Sequence, residues 1–377
     1  MQFGETSIFN PLFILFVVFA SALFLQLIYF WFIYSRLAFY KQKQTEGKKR
    51  PVSIIICAKN EYLNLHANLP IILDQDYPEF EVIVVNDSSD DETDILLDEM
   101  AKLFPRLKAV HINQSLNFFH GKKFPLSIGI KEARYEYLLL TDADCRPKSD
   151  QWLNRMQAGF SQDKEIVLGY GAYARVPGFL NKLIRFEAFL IAVQYLSFSL
   201  CKLTYMGVGR NLAYTKTLFH RNNGFISHLN IPSGDDDLFI NTAATSKNTT
   251  LCIDELSHTQ SVAKNTFSLW FRQKRRHLTT ARYYRFLHQF LLGMYAFTQI
   301  IFFISFILLL SYRYVIFISL GMFALRLITQ LIIWTKISGK LGEKDLLVFS
   351  PIFEVVLLVI NIFTGAANLF LPQQRWK

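Results

Sequence analysis

Two carboxylates one residue apart, Asp142 and Asp144, close the apolar run Tyr135-Glu-Tyr-Leu-Leu-Leu-Thr-Asp-Ala-Asp144. Carboxylates at that spacing can converge on one hard cation, and Mg2+ or Mn2+ prefers oxygen ligands and often shares its shell with phosphates. A solvated acidic turn would look the same in isolation. A second acidic group is Ser233-Gly-Asp-Asp-Asp-Leu238. Three adjacent carboxylates raise the pKa of at least one of them, which suits a base that takes a proton near neutrality. The same acids also favour a helix N-terminus. A third group is basic, Gln273-Lys-Arg-Arg-His277, inside a window from Ser257 to Gly342 that holds no acidic residue. Guanidinium groups bind phosphate bidentately, so this cluster suits a pyrophosphate.

These groups need elements to position them. The run ending at Asp142 is short, apolar and bounded by polar residues, the mark of a buried strand. Strands are expected at 52–57, 80–85 and 107–112, and helices at 61–73, 93–104 and 122–134. Strand and helix alternating at this spacing predict crossover units and a mostly parallel α/β sheet. Polar motifs then fall at successive strand ends: Ala58-Lys-Asn-Glu61, Asn86-Asp-Ser-Ser-Asp-Asp-Glu-Thr93, His120-Gly-Lys-Lys123 and the Asp142/Asp144 pair. One such loop carries little information. Four on one edge point to the crevice where open α/β sheets bind nucleotides. Asp87 can accept hydrogen bonds from a base or ribose there, and Lys122 can meet a phosphate.

The apolar residues, 51% of the chain, are clustered. Residues 11–34 carry no charge and are long enough to span a bilayer. Arg36, Lys41, Lys43, Lys48, Lys49 and Arg50 follow against only Glu46, which places that flank in the cytoplasm. Residues 286–311 and 314–334 are two further spans, with Arg326 expected to snorkel from the cytoplasmic end of the second. The stretch 346–371 carries Pro351 and Glu354 and reads as a crossing or a re-entrant segment. Residues 179–200 read as an in-plane amphipathic helix or a buried core helix. The net charge of +10 thus flanks lipid-soluble segments, which argues for a membrane partner and against nucleic acid. Cys57, Cys145, Cys201 and Cys252 are widely spaced and fit a reducing compartment.

The ordered set of motifs resembles the family 2 glycosyltransferases of GT-A fold, in particular the membrane-embedded branch of hyaluronan, chitin, cellulose and poly-N-acetylglucosamine synthases. The resemblance runs from about Pro51 to Arg285 and, in layout, through the C-terminal spans. It implies a Rossmann-like, mostly parallel GT-A domain on the cytoplasmic face of the cell (inner) membrane. The expected organisation is an anchor at 1–35, a basic linker at 36–50, the catalytic domain at 51–285 and a C-terminal membrane domain at 286–377. By resemblance, Ala58, Asn60, Glu61 and Asp87 hold the uridine of a nucleotide-sugar donor and Lys122 helps bind the nucleotide. Asp142 and Asp144 then bind the diphosphate through Mg2+ or Mn2+.

The family's Glu-Asp-x-x-Leu motif places the base at Asp235, with Asp236 as the rival assignment and Gly234 in place of the preceding acid. Met206-Gly-Val-Gly-Arg-Asn-Leu-Ala213 looks like the acceptor segment, bringing in Arg210 and Asn211. In the family's Gln-x-x-Arg-Trp motif Gln273 and Arg276 match, Arg275 adjoins them, and His277 replaces the tryptophan. That replacement leaves single transfer and processive polymerisation both open. The implied activity is inverting transfer of a sugar to a hydroxyl of a lipid-linked or glycan acceptor. The rivals are a processive polysaccharide synthase with coupled export, a polyprenyl-phosphate glycosyltransferase, and a catalytically dead scaffold that binds nucleotide sugars.

Overall fold

A computed structural model describes residues 10–42, 48–112, 121–231 and 233–370. His120, part of the basic linker and the basic tail at 375–377 lie outside the described residues.

The central sheet is built from the apolar runs. β1 (Val52–Ala58) lies between β2 (Phe80–Asp87) and β4 (Tyr137–Asp142), parallel to both, and β3 (Leu107–Ile112) pairs parallel with β2. Helices α3 (Tyr62–Leu73), α4 (Thr93–Leu103) and α5 (Lys123–Glu132) make the crossovers. All seven residues of β1 are buried, as expected of a parallel strand covered on both faces. Its alternate side chains enter two cores, Ile54 and Ile56 into one, Ile55 and Cys57 into the other. Gly129 of α5 lets that helix lie close on the sheet, since a Cβ there would stand 2.7 Å from the Ile55 side chain. The expected α/β class and the first four strands agree with this arrangement.

Beyond β4 the sheet changes direction. β8 (Leu212–Thr215) pairs antiparallel with β4 and with β6 (Ile166–Leu168), and β9 (Thr249–Leu251) closes the order β3-β2-β1-β4-β8-β6-β9. A small second sheet joins β5 (Cys145–Pro147), β10 (Thr259–Ser261) and β7 (Gly171–Tyr173). Three short helices, α6 (Trp152–Gln157), α8 (Lys216–Arg221) and α9 (Asp237–Ala243), complete the domain with the longer α7 (Phe179–Leu200) and α10 (Phe267–His277).

The N-terminal apolar segment is one rod: α1 (Pro11–Ile28), a π-helical stretch (Tyr29–Tyr34) and α2 (Ser35–Phe39). α11 (Phe286–Ser311) and α12 (Ile316–Leu341) join it, and α13 (Ser350–Phe370) follows a short 3-10 turn. Among the described residues, five segments are long and apolar enough to cross a membrane. One of them, α7, is 67% buried within the protein over its most apolar window, which favours the core-helix reading over the in-plane one. Arg185 of α7 is buried in an ion pair with Glu343 and reaches Asp345 at 2.8 Å, tying the domain to the end of α12.

Arg326 corrects an expectation. It does not snorkel: it is 2% exposed and held at 2.5 Å by Glu354 of α13, itself 3% exposed. A carboxylate that close makes burial of the guanidinium less costly than reaching for the surface. Both ends of α13 meet helices of the domain: Phe353 packs against Phe179 and Phe186, and Asn368 bonds Arg275. A helix held at both ends in this way runs alongside the domain.

Candidate active site

The cleft lies where strand order reverses, between the carboxyl ends of β1 and β4. Register sets Cys57 beside Asp142 and Ala58 beside Asn86, so the β1, β2 and β4 loops share one edge. The Asp142–Asp144 turn is pinned by Asn68, whose Nδ2 donates to the Ala143 carbonyl at 3.2 Å. Asp142, Asp144 and Cys145 each place one ligand atom within 4.8 Å of the others. The two carboxylates fit a hard cation. The buried Cys145 thiol is pushed far up by its burial and by Asp144, which makes it a poor partner for such an ion. Burial and the Asp142 charge push Asp144 upward, while the Ser261 hydroxyl, donating at 3.0 Å, opposes them. A carboxylate whose ionisation is opposed by burial and by a neighbouring acid is a donor that a cation would relieve.

Lys122 stands at the start of α5, just after Gly121 at φ 102°. Its ammonium is paired with Asp142 and lies 4.0 Å from Asp235. Burial would lower this lysine, but Asp142 and Asp235 hold it well above its usual value. Asp142 is the counterpart: burial would raise it, yet Lys122, with Arg210 and Arg276 beyond, keeps it below the ordinary range. Arg210 is placed through its backbone, whose carbonyl accepts from Thr141 at 3.0 Å and from Thr259 at 2.9 Å. Its guanidinium stacks 4.2 Å from the Tyr173 ring centre.

The three consecutive acids part company. Asp235 faces Lys122. Asp236 accepts backbone N–H groups on both oxygens, from Gly209 and Asp237, each at 2.7 Å. Its burial and the neighbouring Asp235 and Asp237 push it up to about 8. Asp237 is buried and accepts from the Thr280 hydroxyl and, at 2.8 Å, from Tyr284, which couples α9 to the corner leading into α11. Gly234 makes this fan possible: its φ is 103°, and a Cβ would stand 2.5 Å from the Leu238 side chain.

Other predicted residues take varied places. Asp87 is half-buried at the end of β2, and its burial raises it. Ala58 is a buried strand residue. Asn60 has φ 56°, and its side chain accepts from the Asp90 N–H at 2.8 Å, so it shapes the loop between β1 and α3. Glu61 accepts from Asn64 at 2.6 Å. Gln273 and Arg276 are half-buried on α10, and His277 is exposed at its end. Arg275 turns to α13, donating to Asn368 at 3.0 Å. Asn211 corrects an expectation: it is fully buried, accepts from Trp152 at 3.0 Å and donates to the carbonyls of Tyr170 and Ser257. An amide so engaged knits the two sheets and is closed to substrate. Lys123, Asp237 and Ser261 join the site without an individual role read from sequence: Lys123 and Asp237 lie inside the motifs at 120–123 and 233–238, and Ser261 carries no signal.

Residues 53–222 match the model described as Glycosyl transferase family 2. The segment is a family 2 glycosyltransferase domain. Among curated relatives, the chain is 34% identical over 124 residues to the poly-beta-1,6-N-acetyl-D-glucosamine synthase of Staphylococcus epidermidis, covering 31% of this chain and 28% of that protein. It is 30% identical over 115 residues to the beta-monoglucosyldiacylglycerol synthase of Trichormus variabilis, covering 30% and 24%. The matches thus span less than half the length of these relatives. Among solved structures, the mannosyltransferase PcManGT of Pyrobaculum calidifontis, in complex with GDP-Man and Mn2+, superposes with a TM-score of 0.59 at 17% identity, covering 95% of this chain and 99% of that one. The shared property at that identity is the GT-A fold. The family 2 domain as matched ends at residue 222, so Asp235 and α10 are brought to its cleft by the following segment.

Proposed function

We propose that the chain transfers a sugar from a nucleotide sugar, a UDP-sugar by its motifs, to a hydroxyl of a lipid-linked or glycan acceptor, inverting the anomeric carbon. The observation that carries this reading is the convergence of Lys122, Asp142, Asp144, Arg210, Asp235 and Arg276 on one cleft at the switch point of the sheet. Asp87 and the loop at 58–61 receive the nucleoside. Asp142 and Asp144 would hold Mg2+ or Mn2+, which would supply Lewis-acid neutralisation of the diphosphate. Lys122 and Arg276 add positive charge where the leaving group develops negative charge. Asp235 takes the proton of the acceptor hydroxyl as that oxygen attacks the anomeric carbon and the bond to the diphosphate breaks on the opposite face. Asp236, with both oxygens engaged by backbone N–H groups, is the weaker choice for that role.

The acceptor side rests on two supports. One relative is named for a glycan product and another for a glycolipid product, which supports an acceptor of either class. The cleft is bounded by α10, which leads directly into α11, so an acceptor can reach it from the membrane surface. The basic flank after α2 supports a cytoplasmic face for the domain. The test is metal-dependent release of free nucleotide from UDP-N-acetylglucosamine, UDP-glucose and GDP-mannose by the purified chain in nanodiscs. Turnover of at least one, lost on chelation and in Asp235→Asn, is expected. No turnover of any donor with any membrane-lipid or oligosaccharide acceptor would favour the scaffold reading.

A further inference from the structure

Lys122 and Lys123 are adjacent, both buried, and bonded in opposite senses. Lys122 meets carboxylates. Lys123, 2% exposed, donates to three backbone carbonyls: His228 at 2.6 Å, Ile231 at 2.6 Å and Ser233 at 2.8 Å. An ammonium has three N–H donors and no acceptor, so three carbonyls use its whole capacity. No N–H remains for a phosphate. The Ser233 carbonyl belongs to the peptide leading into Gly234, whose left-handed φ turns the chain immediately before Asp235. Fixing that carbonyl fixes the plane from which Asp235 projects. Burial pushes the Lys123 ammonium down to about 8, against the opposing pull of Asp235, Asp237 and Asp236, so it is charged at neutral pH.

We infer that Lys123 is a positioning residue for the transfer: it anchors the chain ahead of Gly234 to the start of α5, and so sets the distance between Asp235 and the donor site at Lys122 and Asp142. Because α5 begins at Lys123 and Lys122 caps it, one helix end carries both the phosphate-side lysine and the anchor of the base. A shift in either moves the other. The inference rests on the proposed role of Asp235, and the test separates the two.

Wild type, Lys123→Met, Lys123→Arg and Asp235→Asn are compared in nanodiscs with whichever of UDP-N-acetylglucosamine, UDP-glucose and GDP-mannose the wild type turns over. Lys123→Met keeps the stem and loses the donors. A base displaced by about 1 Å can lower kcat about 100-fold, and that loss is expected with the donor KM and nucleotide affinity changed less than about threefold. Lys123→Arg keeps the charge, but a planar fork does not match three converging carbonyls, so it is expected to restore folding without restoring kcat. If Lys123→Met does not fold, the arginine variant decides alone. Wild-type kcat in the folded variants overturns the inference, as does a loss shared equally between kcat and donor affinity. Full turnover by Asp235→Asn would instead overturn the assignment of the base and leave the carbonyl cage a purely structural clamp.

Discussion

Arg326 and Glu354 among the long apolar helices are buried and the carboxylates above the sheet are partly so, yet only the first group is balanced. Arg326 donates from Nε to Gln26, from one terminal nitrogen to Gln330 and Glu354, and from the other to Glu354. Gln330 and Gln299 add donors to the same carboxylate. One cation faces one anion, and the amides of Gln26, Gln330 and Gln299 add further bonds around them. In the cleft, Asp142, Asp144, Asp235 and Asp236 crowd one another, and burial with a neighbouring carboxylate raises Asp144 and Asp236. A buried group that is fully paired holds helices together. A buried group left in excess is ready to bind a cation, a phosphate or a proton.

The sharpest way to break this contrast is Asp235→Asn. General bases contribute roughly 100- to 10000-fold, so transfer should fall about 1000-fold or more in a radiolabel transfer assay, with nucleotide binding retained. The balanced group should respond in stability instead. Removing one partner of a buried ion pair costs about 3–5 kcal/mol, so Arg326→Met should lower the midpoint of thermal unfolding sharply. Replacing both, Arg326→Met with Glu354→Leu, should recover most of that loss. The donor KM of the double variant should match wild type, since no catalytic group is touched. Next in size is Asp144→Asn. Loss of one carboxylate ligand should weaken metal activation about 100-fold, by analogy with the 10- to 100-fold effects of metal-site partners, as read from Mn2+ titration of turnover. If Asp144→Asn leaves the metal titration unmoved, the excess charge above the sheet has another purpose.

The difference between the two regions also explains what was legible in the sequence. The parallel half of the sheet announces itself through four apolar runs, each ending in a polar motif, because every strand there is long enough to have a pattern. β5, β6, β7, β9 and β10 have three residues each and carry no periodicity, so the antiparallel half and the second sheet were not readable. Asp142, Lys122 and Asp235 were found because charge at a strand end or a loop is conspicuous. Asn211 was misjudged because an amide's partners come from distant chain, here Trp152, Tyr170 and Ser257. Arg326 was misjudged for the same reason: Glu354 lies one helix later, and nothing local marks the pair. The role of Lys123 is not legible because the backbone carbonyls it bonds have no sequence signature.

The smallest effect tests the contrast within a single residue type. Glu354 and Asp236 are both carboxylates withdrawn from solvent, but Glu354 faces Arg326, whereas Asp236 faces Asp235 and Asp237. A folded pKa of about 8 against an ordinary value near 4 means that the folded chain holds the Asp236 proton more tightly than the unfolded chain does. The associated stability is present in full below the unfolded value and is lost as pH rises through about 8. Between pH 7 and pH 8 the loss amounts to about 1 kcal/mol, since one pKa unit is worth about 1.4 kcal/mol. Asp236→Asn cannot ionise, so its unfolding midpoint should change less over that interval than the parent's. At lower pH the parent should gain ground on the variant, because only the parent binds a proton more tightly when folded than when unfolded. A difference between the two proteins that stays constant from pH 6 to pH 9 would mean that Asp236 is compensated as fully as Glu354, and the contrast between the two regions would then rest on Asp142, Asp144 and Asp235 alone.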